Sequence, residues 1–419
     1  MWRSPRAPPL VKRVGFAKNE RFLMKLKLGI LVSCLLIWSG SLLGGVPQLS
    51  GSSVTSFLGY QTEHTHGIFY QQVKLMYRPK VLRKMSFHVN LMGMTDLGPQ
   101  KIETPFQVYG AYLDWKHLWK NRLDFSLGRK FYFNGVGIGY LDGGFLTVRP
   151  FRKIHFSLFG GAEVPFDRTP KVYRLQDGSV LGAKLQFNNL WKTRFGVSFY
   201  QKIRFGAAAW RLIGINVSRP FGKSLFGISR VSFNLLESAL QKAFLACRWT
   251  PSRRALFYLE GFYRTPHIYH DSFFEQFELE GLLQGRLNGV WYFRKKYGLT
   301  GDLLWIQSEK KQSQKIRLGI LTPYGLVGFQ QDLGFAGFQT RGYADVSLRL
   351  LKHLTTRLLL DFSNYQISDW EESFLQVGSA FRVEYQLGQR FLVSFEDQFY
   401  NNRVYKVDNR ILGQALCRF

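Results

Sequence analysis

A two-residue rhythm constrains this chain more than any other feature, running with few interruptions from about Thr55 to Phe419. In "WKTRFGVSFYQK", Trp191, Thr193, Phe195, Val197 and Phe199 share one parity, and Lys192, Arg194, Gly196, Ser198 and Tyr200 the other. "FLQVGSAFRVEYQLG" repeats the pattern, setting Leu375, Val377, Phe381, Val383 and Tyr385 against Gln376, Gly378, Ala380, Arg382, Glu384 and Gln386. Successive side chains of a strand point to opposite faces, so each segment reads as a strand with one apolar and one polar face. The segments run to roughly 9 to 11 residues, the length at which a tilted strand crosses hydrocarbon.

A single sheet of so many strands must close on itself or cover its edges. Residues 51–419 show no long helical period, no Pro/Ser linker and no plug-like globular segment. The expected fold is therefore all-β, a transmembrane antiparallel up-and-down β-barrel of about 20 strands, within a range of 18 to 22. Short turns ("NNLWK", "SRPFGKS", "TPSRR", "FRKKYG") alternate with longer loops ("DRTPKVYRLQDGS", "TPHIYHDS", "SEKKQSQ"), which suits a barrel whose two ends face different compartments. Aromatic residues make up 16% of the chain and gather near segment ends, as in "YLDWKHLWK", "VWYFRKKY" and "EDQFYNN", where interfacial girdles belong.

The N-terminal region reads as a targeting segment. Lys25 and Lys27 precede an apolar run from Leu28 to about Trp38, followed by small residues, the pattern of a secretory signal peptide. The expected division is 1–23 as a non-native or gene-call extension, 24–50 as the signal peptide and 51–419 as one barrel, with cleavage between Ser41 and Ser53. An uncleaved helical anchor is the competing reading. The exported part carries 49 Lys and Arg against 27 Asp and Glu, a balance of +22. Such a charge would suit nucleic acid, but export excludes that partner. Cys34 lies in the signal, and Cys247 and Cys417 read as small apolar strand residues and form no disulfide framework.

The stretch "LDFSLGRKFYFNGVGIGYLDGG", from Leu123 to Gly144, superficially resembles a phosphate-binding loop. A dinucleotide loop requires a helix after its glycines, whereas "YLDGGFLTVRPF" alternates as a strand. The glycines therefore serve a loop or bulge in which backbone passes close to the barrel wall or folds inward. Together with "FSLFGGAEVP", from Phe156 to Pro165, this stretch resembles the L-G-R-(Q/K), G-V-G, L-D-G and G-G series of porin-like outer-membrane barrels of Gram-negative bacteria, including relatives of alginate-export-type channels. The resemblance implies that Arg129 and Asp142 pair and organise a loop near the pore. Phe419, closing the alternating segment "NRILGQALCRF", is similar to the C-terminal assembly signature of such barrels, which implies the barrel-assembly machinery as a partner.

Candidate chemistry is sparse. His155, Ser157 and Glu163 form a loose echo of the lipid A deacylase arrangement, but a serine nucleophile needs its histidine within reach and oriented by an acid. His64 and His66 share a strand face without further metal ligands, and the absence of C-x-x-C-H leaves no c-type haem attachment. No catalytic residue, metal or cofactor is expected. The polar parity supplies pore-lining candidates: Lys192, Arg194, Arg230, Asn234, Glu260, Arg264, Arg357, Asp361, Arg382, Glu384, Glu396 and Arg418. Basic side chains around a lumen concentrate anions and penalise cations. The expectation is an outer-membrane channel for passive diffusion of small hydrophilic, anionic solutes, in contact with outer-membrane lipids. The alternative is a scaffold barrel sheathing a periplasmic or lumen-inserted multihaem cytochrome.

Overall fold

The computed structural model describes residues 49–419, apart from 62–64, 99–101, 103, 267–280, 309–310, 336, 367–371 and 402–406. Twenty-two strands follow one another in chain order. The first eleven are β1 (Leu49–Gln61), β2 (Thr65–Tyr77), β3 (Met85–Asp96), β4 (Phe106–His117), β5 (Leu123–Phe133), β6 (Ile138–Phe151), β7 (Ile154–Glu163), β8 (Gly178–Leu190), β9 (Thr193–Arg204), β10 (Ala207–Phe221) and β11 (Leu225–Asn234). The rest are β12 (Ala239–Ser252), β13 (Ala255–Arg264), β14 (Leu282–Arg294), β15 (Tyr297–Ser308), β16 (Lys311–Thr322), β17 (Gly325–Gly334), β18 (Phe338–Leu351), β19 (Leu354–Gln366), β20 (Phe374–Leu387), β21 (Phe391–Tyr400) and β22 (Asp408–Arg418). Each strand pairs antiparallel with its sequence neighbours, and β22 pairs antiparallel with β1 from Tyr60↔Arg410 to Ser52↔Arg418. The sheet is closed and has no free edge, the condition for a sheet to survive in hydrocarbon.

The strands run to between 10 and 15 residues, longer than the alternation alone suggests. The sequence pattern registers only the part of a strand that needs an apolar face, while backbone pairing continues past it. "SEKKQSQ" is a correction of the same kind. It was expected as a long polar loop, yet Lys311 pairs with Ser308 and opens β16.

Register assigns the faces. Opposed residues share a face, and the exposed parity carries Leu245, Leu259, Leu287, Leu303, Leu318 and Phe362 on β12, β13, β14, β15, β16 and β19. A surface of this composition is unstable in water and stable in hydrocarbon, where burying it costs nothing. The other parity, facing the lumen, carries Ser, Asn, Gln and the charges. The Leu190, Trp191, Lys192 region shows how a turn is built. Trp191 and Lys192 have φ of 51° and 62°, a two-residue turn of the primed type that matches strand twist. Two-residue connections also join β6 to β7, β12 to β13, β14 to β15, β16 to β17 and β18 to β19 at this end, while the opposite end carries longer connections such as residues 164–177.

Candidate functional site: a folded hairpin and a cationic wall

The β5–β6 hairpin departs from the regular wall. β4 and β5 pair only from Ala111↔Arg129 to Trp115↔Phe125, and beyond that point the two strands diverge. The tip, residues 134–137, reaches the lumen face of β9 and β10, skipping β7 and β8. Asn134 Nδ2 donates to the Phe199 carbonyl at 2.7 Å, the Ser198 hydroxyl donates to the Asn134 carbonyl, and the Tyr132 and Tyr200 hydroxyls lie 2.9 Å apart. Tyr132, Leu141, Phe159, Val180, Tyr200 and Leu212 form a buried cluster with Val136, Phe145 and Trp210 against it. In a single-layer barrel such a core exists only where one part of the wall folds over the inner face of another.

Two glycine contacts make this fold possible. A Cβ on Gly137 would lie 2.3 Å from Tyr200 Cδ2, and one on Gly214 would lie 2.2 Å from Val136 Cγ1. The backbone of the tip thus lies flat on the Tyr200 ring, while Val136 fills the notch left at Gly214. The glycines of this stretch thus admit close backbone approach, and strand β6, not a helix, follows them.

Arg129 and Asp142 oppose each other in the β5–β6 register, on the hairpin face turned away from the Tyr132 cluster. Arg129 Nε and Nη2 bind the Asp142 carboxylate at 2.8 and 2.7 Å, a bidentate pair. The remaining Arg129 hydrogens reach the carbonyls of Thr169 (2.6 Å) and Lys171 (2.9 Å). The Val108 amide donates to the Arg168 carbonyl at 2.8 Å, so this loop takes the place beside β4 that β5 vacates. The pair therefore organises the β7–β8 connection, and the glycine loop is held by Asn134 and Ser198 instead. Between the hairpin and β2 to β4 lies a recess of about 590 Å³ bordered by Lys74, His88, Asn90, Tyr112, Phe131 and Tyr140.

The lumen charges divide the wall into two unlike halves. From β14 to β22 the basic residues away from the strand ends each have an acid, while Arg294, Lys311, Arg349 and Arg418, at the ends, form no ion pair among the described residues. Arg286 binds Asp302 at 2.7 Å, Lys315 binds Asp332 at 3.1 Å, and Arg410 binds Asp408 at 2.6 Å. Arg357 pairs with Asp345, Arg341 with Asp361, and Arg382 with Glu384 and Glu396. On the lumen face of β8 to β13, Lys202 and Arg204 bind Glu163 of β7, whereas Lys184, Arg194, Arg230, Lys242, Arg248 and Arg264 form no ion pair among the described residues, and the one acid these strands carry is Glu260. The charges of Arg194 and Arg230 act on Lys184, and those of Arg230 and Arg264 on Lys242, so the group is electrostatically continuous. Its partners are rings: Arg230 lies 5.8 Å from the Phe244 centroid, Lys242 5.2 Å from Phe262 and Arg248 5.6 Å from Phe226. A ring face steadies a cation and leaves its charge uncancelled.

Of the sequence-selected lining residues, Arg194, Arg230, Asn234, Glu260, Arg264, Arg357, Asp361, Arg382, Glu384 and Glu396 lie on the lumen parity. Arg418 shares that parity at the end of β22, opposite Ser52. Lys192 is a correction: it occupies the exposed two-residue turn before β9, because the strand begins at Thr193. Arg357, Asp361, Arg382, Glu384 and Glu396 belong to the neutralised half. Lys184, Lys242 and Arg248 were missed, although "GAKLQF" and "KAFLACRW" carry the parity that places them inward.

Neither hydrolase-like arrangement assembles. His155 and Ser157 share the lumen face, but Ser157 contacts Thr147, His155 contacts Asn188, and Glu163 binds Lys202 and Arg204. Ser86, His88 and Asp114 also meet, yet both contacts fall on the same ring nitrogen, Nε2, at 2.9 and 3.7 Å. A serine relay needs its acid on the opposite nitrogen. His66 Nδ1 is engaged by Asp96 at 3.1 Å, and His64 lies outside the described residues.

No known protein family and no curated protein matches this sequence. Solved structures do match in fold. The P pilus usher (PapC) translocation pore aligns with a TM-score of 0.52 at 8% identity, covering 88% of this chain and 99% of that one. The siderophore receptor PirA from Pseudomonas aeruginosa aligns with a TM-score of 0.55 at 10% identity, covering 89% and 80%. PirA from Acinetobacter baumannii gives 0.55 at 8% identity, with the same coverage. This chain shares their large closed-barrel fold.

Proposed function

We propose that this chain is an outer-membrane channel for passive diffusion of small anions, narrowed on one side by the β5–β6 hairpin. The observation that carries this reading is the cationic wall of β8 to β13, six of whose cations form no ion pair among the described residues, facing a half in which the cations away from the strand ends are paired with acids. The apolar outer face and the likeness to a translocation pore and to siderophore receptors support placement in a bacterial outer membrane. An anion entering the lumen is drawn to the track Arg194, Lys184, Arg230, Lys242, Arg264 by a field that the low-dielectric wall concentrates. On this track Arg230, Lys242 and Arg264 face rings and not carboxylates, which leaves their charge available to pass the anion onward. A cation meets the same field as a barrier. The reading needs no catalytic group and no cofactor.

Liposome swelling tests this reading with size-matched anionic, neutral and cationic solutes. Entry in the order anion, neutral, cation supports it. Equal rates would refute the selectivity, and an absence of any entry, with co-purification of a haem protein, would instead favour the sheath.

A further inference from the structure

The ten even-to-odd turns at the short-turn end contain sixteen Lys or Arg and no Asp or Glu. At the opposite end the described loop residues carry Arg168, Lys171 and Arg174 against Asp167, Asp177, Glu237 and Glu372. The excess is therefore a property of one end and does not follow from the basic composition of the chain. Nine of the ten turns contribute, and the remaining one, between β16 and β17, presents Tyr324. None of the sixteen enters an ion pair among the described residues.

Large exposed aromatics stand beside these cations: Trp119 next to Lys120, Phe151 next to Arg152, Trp191 next to Lys192, and Phe293 just before Lys295 and Lys296. Trp and Tyr at a barrel rim settle at headgroup depth, where one end of the ring is apolar and the other wet. A cation one or two residues beyond that belt stands among headgroup phosphates.

We infer that this rim is a docking collar for anionic phospholipid headgroups in the leaflet at the short-turn end. The even spread around the barrel decides between partners. A soluble acidic protein would touch one sector or cap the mouth, whereas only the lipid annulus contacts the whole perimeter. By the usual disposition of outer-membrane barrels the short turns face the periplasm, so the collar meets the phospholipid leaflet. The inference rests on the membrane-barrel reading and is independent of anion selectivity in the lumen.

The test compares the intact protein, in detergent, with phosphatidylglycerol and phosphatidylcholine by native mass spectrometry. The expected result is preferential retention of phosphatidylglycerol that is lost in 0.5 M salt. The variant Arg253→Gln, Arg254→Gln, Lys295→Gln, Lys296→Gln reduces that preference by about fivefold per removed charge at most. The charge-retaining variant Arg253→Lys, Arg254→Lys, Lys295→Arg, Lys296→Arg keeps it, and a heat-dependent gel shift reports that both variants fold. Equal retention of the two lipids, an unchanged preference in the Gln variant, or loss in the charge-retaining variant would each overturn the proposal.

Discussion

Gly137→Ala is the smallest change that challenges the inward position of the hairpin. The added Cβ meets Tyr200 at 2.3 to 2.6 Å, inside any tolerable contact. Tyr200 is 2% exposed, and it is boxed in by Tyr132 at 5.9 Å and Trp210 at 6.3 Å between ring centroids, so it has nowhere to move. Overpacking of this kind costs about 1 to 3 kcal/mol. Against it stand two tip hydrogen bonds, through Asn134 and Ser198, worth about 1 kcal/mol each, and the seating of Val136, worth about 1.5 kcal/mol. Docking keeps a margin of about 0.5 to 2.5 kcal/mol, so the tip of Gly137→Ala visits the released state as a minor population, and Gly137→Val, with a bulkier clash, favours release. Single-channel recording reads the difference: a steady level for the natural protein, flicker between levels for Gly137→Ala, and a changed main level for Gly137→Val. The Val136→Cys, Gly214→Cys double variant supplies the converse. The Gly214 Cβ lies 2.2 Å from Val136 Cγ1, so the two Cβ atoms are no more than about 3.7 Å apart, within disulfide reach. Oxidation should form the bridge and keep the record quiet. A steady, unchanged level in both glycine variants, with the barrel folded, would refute the docked hairpin.

Three further outcomes follow from the same geometry. Arg129→Ala strands the Asp142 carboxylate and should cost about 3 to 5 kcal/mol in a urea unfolding midpoint, whereas Arg129→Met with Asp142→Leu should recover most of it. Leu245→Arg places a charge on the apolar outer face, where Leu245 is 64% exposed, and should cost about 2 to 4 kcal/mol if that face meets the bilayer core. Removing the neutralised pair with Arg286→Gln and Asp302→Asn should leave ion selectivity unchanged in a bilayer, because no net charge is lost.

Much of the fold was legible because the physics behind it is local. A strand with an apolar outer face and a polar lumen face must alternate, so Phe195, Val197 and Phe199 against Arg194, Ser198 and Tyr200 are readable one strand at a time. Strand number emerged at the upper end of the expected range, and the strands are longer than the alternation suggests because pairing continues past the apolar part of each segment. The hairpin was not legible in the same way. "NGVGIG" signals close backbone approach, but that it approaches Tyr200 and Gly214, more than sixty residues away, depends on how the sheet curls. The cationic wall was half legible. Parity places Arg230 and Arg264 inward, yet cross-strand register is needed to distinguish them from Arg357 and Arg382, whose acids Asp345 and Glu396 sit on neighbouring strands. Lys192 shows the limit of parity: alternation cannot locate the last paired residue before a turn.

A cationic wall with six cations outside any ion pair among the described residues selects anions, and the reversal potential across a planar bilayer under a salt gradient measures it. A charge about 8 Å from the permeating ion is worth about 0.5 kcal/mol in a water-like medium, and about 0.2 kcal/mol after screening at 0.1 M salt. Arg230→Glu with Lys242→Glu changes four unit charges, which lowers anion occupancy about fourfold and raises that of cations. The natural protein should give a reversal potential toward that of the anion, and the double variant should move it toward zero or beyond. A cation-selective or unselective natural channel, or a double variant whose potential does not move, would contradict the account.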